Sequence, residues 1–133
     1  MAAQVVYQCD FEDEAERNEW VLNTGNQGSR CANKWYIGET GNHAPDAQYG
    51  LFVSSDGANA TYDASRTMFV VCYRTLTIPA GDYEIHFDWR CSGKRTGEEG
   101  FYLLWVPDSV VTNSNMATAD LPSWAKEEEY RLA

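Results

Sequence analysis

Hydrophobic and polar residues alternate along residues 81–91, whose sequence is GDYEIHFDWRC. Aromatic and aliphatic side chains take the odd positions from Tyr83 to Cys91, while charged or polar side chains take the even positions. A period of two over this length predicts a β-strand with one buried and one solvated face. Pro79 and Gly81 stand just before the alternation and favour a turn there. Because such strands are typical of antiparallel sheets packed on one side, the pattern favours a β-sandwich.

Other short apolar segments recur at spacings near ten residues, with turns rich in Gly and Asn between them. This spacing is typical of an all-β sandwich. The predicted strands are residues 5–10, 34–38, 49–54, 67–78, 82–91 and 101–106. Two further segments leave alternatives open: residues 12–19 form a helical turn or a loop, and residues 123–132 form a helix or a loop that leads into a strand.

The strand parities also predict a core. Trp89 shares its parity with Ile85 and Phe87, and Trp35 shares its parity with Ile37, so both Trp side chains are predicted to be buried. Residues 101–106 are apolar on both parities, which predicts a central strand covered on both faces. Residues 56–59 (DGAN) predict a turn.

Length and charge restrict the class of protein. A chain of 133 residues supports one domain, residues 1–133, that is strand-rich over 5–107 and irregular over 108–133. The net charge of −10 argues against nucleic acid as a partner, because phosphates require Lys and Arg. No apolar run approaches the roughly 18 residues of a membrane span. The N-terminus carries no signal peptide, which is weak evidence about location.

Four cysteines, Cys9, Cys31, Cys72 and Cys91, have no CxxC spacing, which argues against a zinc site. They allow three disulfide pairings, among which Cys72 and Cys91 would meet if their strands pair or face each other. Buried free thiols are the alternative. The sequence leaves both open.

Several motifs resemble a known group of domains. Residues 9–12 (CDFE), followed by Trp20, resemble the opening of MAM-type jelly-roll domains. The series WYIG at 35–38, GLFVS at 50–54, IPAGDY at 78–83 and FDWR at 87–90 is similar to the bacterial relatives, which include cleaved-adhesin and carbohydrate-binding-type jelly rolls of Bacteroidetes surface proteins. The resemblance implies an antiparallel jelly-roll β-sandwich from an extracellular or cell-surface protein.

The sequence departs from that pattern in two ways. MAM domains have a second Cys beside the Trp, and none stands next to Trp20. Such domains also continue with two or more further strands. The resemblance therefore implies a sandwich that is truncated at the C-terminus, or one that a second copy or a neighbouring domain completes by strand addition.

The resemblance also implies a metal site. An acidic residue at the position of Glu12 often ligates a structural Ca²⁺ in these jelly rolls, and Asp10 would add a hard oxygen ligand. The alternative is that residues 12–19 (EDEAERNE) are a solvated acidic segment. No other cofactor is predicted.

Candidate ligand-binding residues come from the polar parity of residues 82–91 and from nearby aromatic residues. His86, Asp88 and Arg90 stand at i, i+2 and i+4, where they would offer directional hydrogen bonds to sugar hydroxyls. Tyr102 and Trp105 are candidates for an aromatic platform that stacks on a sugar ring. The alternatives are an ordinary solvated strand face and ordinary packing.

Sequence signatures of common enzymes, such as GxSxG, the P-loop, GxGxxG and HExxH, are absent, so no catalytic residue is predicted. We therefore expect a non-catalytic carbohydrate-binding or adhesin module of a larger surface or secreted protein, with a glycan or another cell-surface ligand as partner. The alternative is a structural or protein–protein interaction module that docks or spaces neighbouring domains. An exposed Trp or Tyr in a groove favours the first, and a bare strand edge favours the second.

Overall fold

The computed structural model describes residues 4–22, 32–39, 45–65, 69–90, 100–109, 117–118 and 123–132. The elements, in chain order, are helix α1 (Glu14–Glu19), strands β1 (Lys34–Gly38), β2 (Gly50–Ser54), β3 (Phe69–Val70) and β4 (Ala117–Thr118), and 3-10 helices at Ser123–Lys126 and Glu128–Tyr130. These parts of the chain are mostly strand and coil with small antiparallel sheets and little helix, which is compatible with an all-β class. The jelly-roll sandwich stays a prediction.

Strands β1 and β2 form the longest ladder. They pair antiparallel along their full lengths, and Tyr36 lies directly opposite Phe52. The two rings stack with centroids 6.0 Å apart, and Phe52 is only 6% exposed. Cross-strand aromatic pairs of this kind stabilise a sheet beyond their backbone hydrogen bonds. The strands predicted at 34–38 and 49–54 are confirmed.

A tight turn follows β2, as residues 56–59 predicted. The Asp56 carboxylate accepts the side-chain amide and the backbone N–H of Asn59 and the N–H of Ala58, each at 2.9 Å. The Ser54 hydroxyl donates to the same carboxylate at 2.9 Å. These hydrogen bonds, above all that from the Asn59 side chain, hold the pKa of Asp56 well below its usual range. Gly57 has φ 78° and lies against the Tyr36 ring, so a side chain there would be strained and crowded.

Helix α1 is a six-residue helix that begins after Asp13, whose side chain accepts the N–H of Ala15 at 3.1 Å. Phe11, just before it, has a left-handed φ of 66°, and its carbonyl accepts Arg17 Nη1 at 2.8 Å. The Arg17 guanidinium also lies 3.9 Å from the centroid of the Tyr49 ring. Of the two alternatives for residues 12–19, the helical one is confirmed.

Side-chain interactions join the separate elements. Trp35 Nε1 donates to the Val70 carbonyl at 2.9 Å, which links β1 to β3. Arg74 Nε and Nη2 lie 2.9 and 3.2 Å from the two oxygens of Glu16, and the Tyr7 hydroxyl donates to the same carboxylate. The bond from Arg74 is the main cause that lowers the pKa of Glu16, while burial and then Glu16 raise the pKa of Tyr7. This cluster ties α1 to the chain beyond β3.

Several strand predictions are wrong. The structure assigns no ladder strand to residues 5–10 or 82–90, and residue 91 lies outside the described residues. Within the predicted strand 67–78, residues 67 and 68 lie outside the described residues, and the rest forms only the short strand Phe69–Val70 and an isolated bridge between Tyr73 and Val21. Residues 101–106 make only one bridge, from Leu104 to Arg131, and are not covered on both faces. In each case the apolar pattern is present, but the described residues supply no neighbouring strand along the full predicted length.

The described cysteines are not paired. Cys9 and Cys72 are free thiols, which is one of the two alternatives that the sequence left open for them. Burial raises the pKa of the Cys72 thiol to about 12. Cys31 lies outside the described residues, as does Cys91.

Candidate functional site

Residues 82–90, which we call the interaction segment, are the most exposed apolar part of the described chain. All nine residues are exposed. Ile85 is 49% exposed, Phe87 42% and Trp89 64%. The prediction that Trp89 belongs to the core is therefore wrong, because nothing among the described residues covers the outer side of its indole.

The interaction segment contains no helix, turn or bend, which is consistent with the extended chain that its alternating pattern predicts. Phe87 and Trp89 both lie against the ring of Phe101, with centroids 6.1 and 6.0 Å away. Among the even-numbered residues, His86 Nε2 lies 3.4 Å from Glu84 Oε2. In an extended chain successive side chains point to opposite sides, so residues two apart lie on the same side. Phe87 and Trp89 share Phe101 as a neighbour in this way, and His86 lies beside Glu84.

No ladder partner accompanies this extended backbone. Within the described ranges, no backbone N–H or carbonyl of the interaction segment takes part in a backbone hydrogen bond. Exposed main-chain groups of this kind are the groups that an added strand would bind. Among the described residues, the segment thus belongs to no sheet.

An aromatic row lies along one side of the segment. It consists of Trp35, Phe87, Trp89 and Phe101. Trp89 stacks on Phe101 with 14° between the planes, and Phe101 meets the edge of Trp35 at 6.5 Å. The row therefore connects the interaction segment to β1, which holds one side of the segment in place.

Three of the predicted ligand-binding residues, His86, Asp88 and Arg90, lie on the segment and are exposed. Because they have the opposite parity to Phe87 and Trp89, they face away from the aromatic row. The ion pair of His86 with Glu84 is almost fully exposed, at 86% and 90%, so it contributes little. The segment brings these polar groups together, but it does not place them beside its own exposed aromatic rings.

The other two predicted ligand-binding residues, Tyr102 and Trp105, are each 45% exposed. The Arg131 guanidinium lies 4.6 Å from the centroid of the Tyr102 ring and so covers part of it. The backbone N–H of Trp105 donates to the Tyr130 carbonyl at 2.8 Å, which ties this stretch to the C-terminal residues. Sequence reasoning missed Phe101, although its place next to Gly100 and ahead of a two-sided apolar run was the available signal.

The predicted calcium ligands Asp10 and Glu12 make other contacts. Glu12 Oε1 accepts the backbone N–H groups of Gln48 and Tyr49, each at 2.8 Å. Asp10 Oδ1 accepts the N–H of Glu12 at 3.0 Å. The described residues hold no group of three His, Cys, Asp or Glu side chains placed to bind a metal ion. These contacts give Glu12 a metal-independent role in holding the chain before β2, and the calcium site stays a prediction.

No helix among the described residues is long and apolar enough to cross a membrane. No family model, curated protein or solved structure matches the chain. The likeness to MAM-type and cleaved-adhesin jelly rolls therefore remains an interpretation of the motifs at 9–12 and 35–90.

Proposed function

We propose that this protein is a non-catalytic interaction module of an extracellular or cell-surface protein, and that it binds a protein partner by strand addition to the interaction segment. The observation that carries the proposal is the combination of an extended backbone with unused hydrogen-bonding groups and two exposed faces. Strand addition supplies main-chain hydrogen bonds for affinity and side-chain contacts on alternate residues for specificity.

The apolar side chains strengthen this reading. Exposure of Ile85, Phe87 and Trp89 is costly for an isolated protein, since each of these side chains leaves much of its surface in water. A free apolar strand edge is also an aggregation hazard, which proteins usually limit by charge or by covering. The charged residues at the even-numbered positions of the interaction segment provide the charge, and a docked strand would cover its apolar side chains.

A peptide-display selection tests this proposal. The immobilised protein is screened against random ten-residue peptides, and the expected binders alternate apolar and polar residues. On binding, the backbone amides of alternate residues in the interaction segment should exchange more slowly with deuterium, because they become hydrogen-bonded. The variant His86→Pro removes one N–H from the segment and should lose binding.

The matched control is Asp108→Pro, which places the same residue at another exposed position. Peptides that bind both proline variants as well as the original protein, or a selection without enrichment from folded, monomeric protein, would contradict strand addition.

A second candidate function, a carbohydrate-binding or adhesin module, is supported by Trp89. Its indole is 64% exposed and is held by stacking on Phe101, as a platform for the C–H face of a sugar would be. His86, Asp88 and Arg90 would then contribute through a separate surface on the opposite side of the segment, rather than around the same sugar ring.

A glycan microarray, run with and without Ca²⁺, separates the two candidates. A reproducible hit that Trp89→Ala abolishes and Trp105→Ala preserves would favour the carbohydrate function. Loss of binding with Arg90→Ala would instead point to the polar side of the segment. A blank array from folded protein would favour a protein partner.

A further inference from the structure

Acidic and basic side chains alternate on the interaction segment in an order that suits pairing with itself. Its polar parity reads Glu84, His86, Asp88 and Arg90. If two copies pair antiparallel about a twofold axis at Phe87, Glu84 stands opposite Arg90 of the second copy and His86 stands opposite its Asp88. The symmetry repeats both pairs, so all four cross-strand pairs join an acid to a base.

Resting on the proposed function, we infer that the partner is a second copy of this chain, which pairs with the interaction segment about Phe87. The occupant is chosen by this charge complementarity, because opposite charges directly across a strand pair are favourable and like charges are not. A twofold contact between identical surfaces is also the commonest arrangement among soluble homo-oligomers.

The apolar parity supports the same register. Ile85 stands opposite Trp89 of the second copy, and Phe87 stands opposite its own equivalent. Aliphatic–aromatic and aromatic–aromatic pairs are favourable cross-strand neighbours. The two aromatic rows would then join into one continuous surface across the twofold axis, and part of the exposed area of Phe87 and Trp89 would be covered.

Neighbouring registers place like charges opposite each other. An axis at His86 puts Glu84 opposite Asp88 twice. An axis at Asp88 puts that carboxylate opposite itself and His86 opposite Arg90. An axis at Ile85 puts Asp82 opposite Asp88. Because like charges directly opposite destabilise a strand pair, the register about Phe87 is selected over all three.

Charge-reversal variants test the pairing by sedimentation equilibrium. Glu84→Arg turns two attractions into two repulsions and should weaken the dimer at least about tenfold. Arg90→Glu should do the same. An equimolar mixture of the two variants should restore association, because the mixed dimer again places a base opposite an acid at both positions.

The control is Asp46→Arg at an exposed position. It changes the net charge by the same amount as Glu84→Arg and should leave association unchanged. Far-UV circular dichroism and a thermal melt confirm that each variant is folded. If Glu84→Arg strengthens association, the axis lies at His86 and the inferred register is wrong. If the mixture associates no better than either variant alone, the Glu84–Arg90 pairing is wrong.

Disulfide trapping measures the register directly. Residues directly opposite in an antiparallel pair have Cα atoms about 4.5–5.5 Å apart, which is within disulfide range. Phe87→Cys should therefore form a cross-link between two copies, identified as a peptide joined through position 87 to itself. His86→Cys should not, since its symmetry mates would be about 8 Å apart. The reverse result would overturn the inference.

The outcome also separates this inference from the proposed function. Folded protein that stays monomeric at high concentration, yet binds selected peptides through the interaction segment, would overturn self-pairing and leave strand addition standing. Folded protein that neither associates nor binds peptides would overturn both.

Discussion

The paired strands β1 and β2 and the interaction segment differ in burial although both carry aromatic residues on an extended backbone. Phe52 in β2 is 6% exposed, whereas Phe87 in the interaction segment is 42% exposed. Phe52 has a strand opposite it and stacks on Tyr36, while Phe87 has no strand opposite it among the described residues and lies against the ring of Phe101. The apolar pattern thus predicts a strand in both regions, but it predicts neither a ladder partner nor a cover.

Local hydrogen bonds explain why one region pairs. The end of β2 is fixed by the Ser54 and Asp56 side chains, and the chain entering β2 is fixed by Glu12. No such anchors hold the interaction segment among the described residues, where the Tyr83 hydroxyl reaches only the nearby Pro79 carbonyl. Side-chain hydrogen bonds therefore fix both ends of β2, whereas no comparable bond fixes the interaction segment among the described residues.

The largest expected effect is the difference in lost stability between alanine substitutions at Phe52 and at Phe87. We expect Phe52→Ala to lower the free energy of unfolding by about 3–5 kcal/mol, because it removes a buried ring and leaves a cavity. The matched variant Phe87→Ala should cost less than about 1.5 kcal/mol in the monomer, since much of that ring is already in water. Urea unfolding at low protein concentration measures both. Equal losses in the free energy of unfolding would contradict the difference in burial between β2 and the interaction segment.

A second prediction concerns the ion pair that fastens α1 to the chain beyond β3. Glu16→Gln should lower the free energy of unfolding by about 2 kcal/mol, because it weakens charged hydrogen bonds to Arg74 and Tyr7 in a largely covered site. The pKa of Glu16 is lowered from 4.5 by folding. The stability from this pair is therefore complete well above pH 4.5 and is lost as the pH falls through the lower folded value.

Thermal melts of the original protein and of Glu16→Gln across the acid range check this prediction. The difference between them should shrink as the pH falls, because protonated Glu16 then resembles Gln. A difference that stays constant down to pH 3 would contradict the role given to the carboxylate charge.

A third prediction concerns Glu12, which anchors the chain before β2. Glu12→Ala should lower the free energy of unfolding by about 1–2 kcal/mol, because the N–H groups of Gln48 and Tyr49 lose their acceptor. Glu12→Gln keeps an oxygen acceptor and should cost less. Melts with Ca²⁺ and with a chelator show whether this position also holds a metal. A loss confined to the calcium-containing sample would replace the hydrogen-bonding role with the predicted calcium site.

The smallest effect should be found at Cys72. Burial raises the pKa of its thiol to about 12, so almost none of the reactive thiolate is present at pH 8. We expect iodoacetamide to alkylate Cys72 much more slowly in the folded protein than in denaturant, with peptide mass spectrometry as the readout. Equal labelling rates in the two states would contradict the raised pKa of the thiol.

The sequence alone predicted the local elements well where local chemistry decides them. The strands at 34–38 and 49–54, the turn at 56–59 and the helical turn within 12–19 are confirmed. Asp13 and Asp56 explain two of these, because a short acidic side chain binds backbone N–H groups a few residues away. No knowledge of distant residues is needed for such contacts.

The sequence also determined which side chains of residues 82–90 share a face, since the parity of an extended chain follows from its covalent geometry. It did not determine that Trp89 is exposed, that residues 101–106 lack cover, or that Arg74 meets Glu16. Those outcomes depend on which strands find neighbours and on which residues far apart in the chain come together. Burial and pairing are properties of two surfaces in contact, and so only the tertiary structure decided them.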